Sequence, residues 1–445
     1  MHADVFDPVS MATVTTAAEF ARSSIAAMTP ALPLSVQLLL SLLLTKSYAS
    51  TLTQCPNKPP GRLGEDRLRT CPLPGDLGII PEHEPTAVSW SFAPRCMAAP
   101  AKPDEVPRVD CLFTAADFRN GHGISVVTST TAASNLVGLG VFPDSPDPAA
   151  AARRRAAGGR AYEVVDVPGK GKGVVARRKI RKDEIFIVDY PAVLIGIDFL
   201  ADAKPHHRRR VIKQAINQLP ERTRDRVYGL SRGDGTYEVD SILGANSNSV
   251  TLADGELHVG VFPEVARINH SCRPNAYYRF SQRRLAIEVV AYVPIEAGDE
   301  ILMSYVPLGL KHDERRKYLR DNWGFECRCS LCHAPESEIS ESQGRRRQMN
   351  EMKQTLQDAR RDGYYKEAIT IAGDLLQFTE WEGMPLLTPE YHDTLADLYL
   401  LKGDMANATR YARMALNGWV QFGSVDDDQL ENSRRLLQGL ANTQS

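Results

Sequence analysis

The chain has 445 residues, of which 43% are hydrophobic and 24% are charged, and its formal net charge is −2. These values are typical of a globular protein and exclude a chain that is disordered throughout. The near balance of charge argues against a protein whose main task is to bind nucleic acid directly. No apolar run reaches the roughly 18 residues that a membrane-spanning helix needs, so a polytopic membrane protein is excluded.

The first 50 residues are targeting-like or disordered. An apolar run at residues 34–44 has the length of a signal-peptide core, and Ser47-Tyr48-Ala49 supplies small residues after it. The run starts late, and no basic residue directly precedes it. Two interpretations stay open: secretory targeting with cleavage near Ala49, or a buried or frayed helix in a nuclear or cytoplasmic protein.

Residues 51–159 form a Pro-rich, cysteine-containing extension that ends in a linker rich in proline, alanine and glycine. Its β-like runs, such as residues 123–128, show that it is not wholly disordered. Four cysteines permit two disulfides in three connectivities. An oxidising compartment suits such disulfides, whereas a reducing one suits the metal site described below, so the compartment stays open. The four are Cys55, Cys71, Cys96 and Cys111.

Residues 160–310 alternate like short strands, with an insert of helical periodicity at about 199–247. This pattern predicts small packed sheets in an α+β fold. Near its start, residues 169–173 read G-x-G-x-G and run on into a strand, which fits neither a dinucleotide-binding turn nor a P-loop. Because glycine has no Cβ, the backbone of this turn could come close to a ligand. The alternative interpretation is a tight hairpin without a binding role.

Residues 345–440 are predicted to be all-helical, with an internal repeat. Gly363, Ala368, Ala372 and Leu376 recur after 40 residues as Gly403, Ala408, Ala412 and Leu416. Small residues at fixed helix positions allow close packing, so the repeat indicates helical hairpins of the tetratricopeptide (TPR) type, whose usual period is about 34. An unrelated helix bundle is the alternative. Such a domain could also bind a protein partner.

Cysteines in residues 311–335 have metal-site spacing. Cys327, Cys329 and Cys332 form C-x-C-x-x-C, which suits one ion better than a disulfide. Tetrahedral zinc takes four thiolates at about 2.3 Å, and Cys272 is the only other cysteine after Cys111. Reduced or disulfide-bonded cysteines are the alternative.

Two further motifs complete the pattern. Residues 267–275 read R-I-N-H-S-C-R-P-N, a polar cluster directly after an apolar stretch, and residues 298–305 read as a turn into a strand that ends at Tyr305. Taken singly, His270 and Tyr305 would be structural residues. Together with the glycine turn and the cysteine-rich tail, and in this order, they resemble a SET-domain protein lysine methyltransferase of the SMYD-like and fungal SET5-like branch.

The resemblance implies a β-rich SET fold with a helical insert, a zinc-binding post-SET tail and a TPR-like C-terminal domain. The MYND finger of SMYD proteins is missing, because residues 174–247 contain no cysteine. The implied function is S-adenosylmethionine-dependent N-methylation of lysine in a histone or non-histone protein. The alternative is a catalytically silent SET-fold binding protein that could be secreted, and the intact Tyr305 and Asn269-His270 pair favours activity.

The resemblance also assigns roles to individual residues. Tyr305 is the implied catalytic tyrosine, and Phe325 the aromatic ring that stacks on adenine. The implied cofactor contacts are Gly171, Lys172, Gly173, Asn248, Asn269, His270, Tyr305 and Phe325. The implied ligands of a structural zinc ion are Cys272, Cys327, Cys329 and Cys332.

Overall fold

A computed structural model describes residues 90–99, 108–142, 160–233, 235, 237–252, 255–423 and 428–442. The targeting-like segment, Cys55 and Cys71 lie outside these residues, so the predictions made for them are not addressed. The described residues divide into two compact units, one made of those within 90–142, 192–228 and 235–261, the other of the remaining described residues. None of the described helices combines the length and apolar character needed to cross a bilayer.

The strands are short, as their sequence spacing predicts. In chain order, β1 to β13 are Arg95–Ala98, Val109–Ala115, Ile124–Ser129, Tyr162–Val167, Gly171–Ala176, Ile185–Asp189, Val193–Gly196, Ser247–Thr251, Leu257–Val261, Asn269–His270, Ala276–Ser281, Ala286–Ala291 and Glu300–Met303.

Apart from a four-residue helix at Phe118–Gly121, which is not numbered here, the described helices fall in the predicted insert and in the C-terminal part, with one more in the N-terminal segment. In chain order, α1 to α11 are Thr130–Gly138, Ile197–Asp202, Pro205–Asn217, Glu221–Tyr228, Glu238–Asn246, His312–Trp323, Glu336–Arg361, Tyr365–Trp381, Thr388–Leu401, Met405–Phe422 and Asp428–Asn442.

The first unit is built on a six-stranded sheet in the order β1-β2-β3-β7-β9-β8. β2 and β3 are apolar and almost wholly buried, so they need neighbouring strands, and β3 pairs in parallel with β7. The sheet therefore joins the described strands β1 to β3, which lie before residue 160, to β7, which lies after it. Cys96 and Cys111 lie opposite each other on β1 and β2 and form a disulfide, one of the pairings left open by the sequence.

The second unit contains two smaller sheets, in the orders β10-β13-β5-β4 and β11-β12-β6. β4 and β5 form an antiparallel hairpin around the glycine turn, β13 pairs antiparallel with β5, and β10 pairs in parallel with β13. The first of these sheets thereby brings the glycine turn, the 269–275 motif and the 298–305 motif, three distant parts of the sequence, side by side.

The C-terminal helices pack as successive neighbours. α7 contacts α8, α8 contacts α9, and α9 contacts α10. The repeated alanines of α8 and α10 are completely buried, as the repeat predicts. Gly363 and Gly403 occupy the turns before these helices with φ of 80° and 79°, a conformation that favours glycine. The prediction of helices to the end of the region is confirmed for the described residues, and the TPR assignment stays a prediction.

Candidate functional site

The turn between β4 and β5 requires glycine for two reasons. Gly169 and Gly171 have φ of +75° and +73°, which other residues adopt only with strain. At Gly173 the reason is steric. A Cβ there would lie 2.5 Å from Val167 Cγ2, 2.8 Å from Asn269 Nδ2 and 3.1 Å from Glu300 Oε1. The absence of a side chain at Gly173 therefore lets the Asn269 amide come against the hairpin backbone.

The side chain of Asn269 is held in a fixed orientation. Its Nδ2 donates to the Lys172 carbonyl oxygen at 3.2 Å and to Glu300 Oε1 at 2.9 Å. Glu300 Oε2 in turn accepts from Lys170 Nζ at 2.6 Å. No hydrogen bond joins the Asn269 side-chain oxygen to another described residue, so this oxygen is available to a ligand. Residues 269–271 read N-H-S, formally a glycosylation sequon, and a glycan on Nδ2 would replace one of the two N–H groups that make these hydrogen bonds.

Lys172 contributes its backbone to this arrangement. Its Nζ lies 2.8 Å from a carboxylate oxygen of Asp166, its cross-strand partner in the hairpin. The side chain is thus engaged on the hairpin itself, and the carbonyl oxygen is the Lys172 atom that contacts Asn269. The predicted cofactor contact of Lys172 stays a prediction.

His270 links the 298–305 motif to the cysteines. Its Nδ1 accepts from the Tyr305 main-chain N–H at 3.0 Å, and its Nε2 lies 3.2 Å from Cys272 Sγ. Burial lowers the pKa of His270 to about 4, so the ring is neutral at ordinary pH. Because Nδ1 accepts, the ring proton is on Nε2 and is donated to the sulfur. Both ring nitrogens thus have a hydrogen-bond partner within the chain. A ligand at His270 would therefore contact the ring edges or the backbone.

Tyr305 is half-buried among aromatic rings. Its hydroxyl donates to the Ile268 carbonyl oxygen at 2.6 Å, and its ring centroid lies 5.3 Å from that of His270 and 5.2 Å from that of Trp323. Burial, together with the negative charge of Glu300, raises the pKa of Tyr305 well above its ordinary value. The phenol therefore stays protonated and acts as a hydrogen-bond donor. Phe325 lies on another side of His270, at 6.2 Å between ring centroids.

The four cysteines predicted as metal ligands lie together. The sulfur atoms of Cys272, Cys327, Cys329 and Cys332 are all within 4.8 Å of one another, and Cys272 Sγ is 3.9 Å from Cys327 Sγ and 3.5 Å from Cys332 Sγ. A tetrahedral zinc site with Zn–S bonds of about 2.3 Å places its sulfurs about 3.8 Å apart. The separations fit four thiolates around one ion and are too long for disulfide bonds.

The match with known proteins agrees with this arrangement. Residues 171–306 match the model of the SET domain. The chain contains a SET domain. It is 31% identical to histone-lysine N-methyltransferase set5 of Schizosaccharomyces pombe over 189 residues, which are 42% of this chain and 56% of the relative.

Two further relatives belong to the SMYD group. The chain is 32% identical over 112 residues to histone-lysine N-methyltransferase SMYD3 of Homo sapiens, covering 24% of this chain and 26% of the relative. It is 40% identical over 90 residues to N-lysine methyltransferase SMYD2 of Rattus norvegicus, covering 20% of each. The chain thus spans about half the length of the set5 relative and a quarter or less of the SMYD relatives. The predicted resemblance to the SMYD-like and SET5-like branch is confirmed.

One predicted residue and one residue that was not predicted remain. Asn248, a predicted cofactor contact, is on β8 in the first unit, where it pairs with Gly260 of β9, and its cofactor contact stays a prediction. Glu300 was not predicted, although it orients the Asn269 amide. Its signal was its place in the Gly298–Tyr305 motif, but a carboxylate at the start of a strand is common on protein surfaces, so sequence alone gives it no role.

Proposed function

We propose that the chain is an S-adenosylmethionine-dependent protein-lysine N-methyltransferase that acts on a histone or another protein. The observation that supports this most is the convergence of Gly173, Asn269 and Tyr305 around one small sheet, next to the buried ring of His270. The printed names of its relatives describe methylation of lysine, some of it on histones.

The proposed chemistry needs positioning more than acid–base power. Bound S-adenosylmethionine supplies the methyl group on a positively charged sulfur. The acceptor lysine must lose its proton, although its ordinary pKa is about 10.4. Poorly hydrated surroundings such as those of Tyr305 disfavour the ammonium form through desolvation. The protonated hydroxyl of Tyr305 then offers a fixed polar contact that helps to align the reacting atoms.

The residues of the glycine turn fit a cofactor with a polar amino-acid end. Gly173 leaves bare backbone beside the Asn269 amide, and the Asn269 oxygen remains available as an acceptor. Phe325 is proposed as the ring that stacks on adenine, and Asn248 as a further polar contact. These assignments follow the family resemblance, and the geometry of the second unit supports those of Gly173 and Asn269.

The four-cysteine cluster is proposed to hold a structural zinc ion. A site closed by four thiolates leaves no position for a substrate, so the ion would fix the 327–332 segment against Cys272 rather than take part in methyl transfer. The helical region from residue 345 to 440 is proposed as a TPR-like domain that could bind a protein partner. Cellular location and the fate of residues 1–50 stay predictions.

Methyl transfer from tritiated S-adenosylmethionine to a mixed protein lysate tests the proposal. Wild-type chain should place label on proteins, and acid hydrolysis should recover it as methyl-lysine. Tight cofactor binding without any label would instead favour the catalytically silent binding protein. Label on residues other than lysine would contradict the proposed acceptor.

A further inference from the structure

A buried ion cluster joins α7 to the end of α8. Arg346 of α7 and Glu382, which directly follows α8, are each 2% exposed. Arg346 Nε donates to Glu382 Oε2 at 2.8 Å, and Ser342 Oγ donates to the same oxygen at 2.7 Å. Buried charges are tolerated only where partners satisfy them, so the cluster fixes the N-terminal half of α7 against α8.

Leu310 connects this ion cluster to the four-cysteine cluster. Its carbonyl oxygen accepts from Arg346 Nη1 at 3.1 Å and from Arg315 Nη1 at 2.7 Å. Its side chain packs against the apolar group that contains Cys272 and Cys327. One residue therefore contacts the helical region through its main chain and the cysteines through its side chain.

The charges around Leu310 need a further negative partner. Arg315, like Arg346, is 2% exposed, and its Nε has no hydrogen-bond partner within the described part of the chain. Burial and the neighbouring Arg315 guanidinium lower the pKa of Arg346, whereas the hydrogen bond and negative charge of Glu382 act in the opposite direction. Two buried guanidinium groups and one buried carboxylate leave a net positive charge in the interior.

A zinc ion bound by four thiolates would supply the missing charge, because such a site carries a net double negative charge. We propose that Arg346 is a positioning residue for the zinc site: it holds the carbonyl of Leu310, whose side chain packs against the cysteine group, and so couples zinc binding to the packing of α7. The inference rests on the zinc site of the proposed function. Since coupling is reciprocal, bound zinc stabilises the position of α7 as much as α7 stabilises the bound zinc.

Arg345 provides a matched control for Arg346. Its Nε donates to Glu382 Oε1 at 2.6 Å, so both arginines pair with the same carboxylate. Its side chain is 24% exposed, however, and among the described residues it makes no hydrogen bond to Leu310. Replacing either arginine with methionine removes one partner of Glu382, but only Arg346→Met also removes one of the two donors to the Leu310 carbonyl.

The first test is the zinc affinity of full-length variants, measured by competition with a chromophoric chelator. Arg346→Met should weaken zinc binding by roughly 10- to 100-fold, as is usual for residues that support metal ligands. Arg345→Met should weaken it by about fivefold or less, as expected of a partly exposed ion pair. Equal losses of zinc affinity in the two variants would overturn the role of Arg346 but leave the zinc site standing. A wild-type chain that binds no zinc would overturn both the zinc site and the role of Arg346.

The second test uses the wild-type chain and so does not depend on the folding of a variant. Hydrogen exchange is followed before and after zinc is removed by a chelator. Protection of residues 336–350 in α7 should fall about tenfold or more, the size of a typical coupling, while α9 and α10 serve as the internal reference. Loss of protection in the cysteine segment with α7 unchanged would overturn the inference.

Discussion

Replacing Tyr305 with phenylalanine separates catalysis from stability. The change removes one hydroxyl, whose hydrogen bond to the Ile268 carbonyl oxygen is 2.6 Å long. Ile268 is almost completely buried, so its carbonyl loses a partner that water does not easily replace. A buried acceptor left unsatisfied costs about 1–3 kcal/mol, and about 1 kcal/mol lowers the Tm of a domain of this size by about 2–4 °C.

Tyr277 provides the matched control. It is a buried tyrosine on β11 whose hydroxyl also donates to a carbonyl oxygen, that of Gln421, at 2.6 Å. It packs against Tyr292 and Phe422 rather than against His270. Tyr277→Phe should therefore lower Tm by a similar few degrees, since it removes the same kind of hydrogen bond.

The two variants should differ in methyl transfer. Losing a fixed polar contact in an active site typically costs about 100-fold to 1,000-fold in rate, so Tyr305→Phe should lose nearly all transfer of label from tritiated S-adenosylmethionine. Its affinity for the cofactor, measured by calorimetry, should change little. Tyr277→Phe should keep wild-type activity at a temperature where both variants are folded. Equal activity in the two variants would refute the role of Tyr305.

Three further predictions follow from other parts of the structure. Cys329→Ser should abolish the binding of about one zinc ion per chain; metal analysis that finds the ion retained would contradict the four-cysteine site. Glu300→Gln should weaken cofactor binding by about tenfold, because it alters the contact that orients the Asn269 amide. The control Asp299→Asn, in the adjoining exposed turn, should leave cofactor binding unchanged. If calorimetry gives similar affinities for the two variants, Glu300 does not have the orienting role. Burial raises the pKa of Glu382, but hydrogen bonds from Ser342 and two arginines outweigh this and hold it below its ordinary value of 4.5. The stabilisation by ionised Glu382 is therefore present above pH 4.5 and is lost as the pH falls through the pKa of the folded state. Glu382→Gln should thus reduce the fall of Tm in acid. Wild-type and variant profiles of Tm against pH that run parallel would contradict this.

The sequence predicted the elements of the second unit well because local signals mark them. The alternating pattern that was predicted from residue 160 begins with β4 at Tyr162–Val167, and the glycine turn forms the hairpin between β4 and β5. The spacing of Cys327, Cys329 and Cys332 indicated a shared ion, and the lack of other late cysteines pointed to Cys272, which the structure places beside them. In each case the information lies within a few residues or in residue type alone.

Long-range pairing was harder to predict. The strands at residues 95–129 and β7 belong to one sheet, although a linker of low complexity separates them in the sequence. No local sequence pattern predicts the parallel pairing of β3 with β7. The role of Glu300 depends on β10 and β13 lying side by side, and that of Arg346 on its distance from Leu310. Such roles arise from tertiary packing, since a charged residue in a helix or at a strand end is usually solvated.

The proposed enzyme can be tested most directly by recovering the methylated amino acid. Full-length wild-type chain and Tyr305→Phe, each shown to bind S-adenosylmethionine, are incubated with the tritiated cofactor and a protein lysate, and the protein fraction is then hydrolysed. Wild-type chain should yield tritiated methyl-lysine and the variant almost none. Absence of methyl-lysine with wild-type chain, or equal amounts with both, would contradict the account.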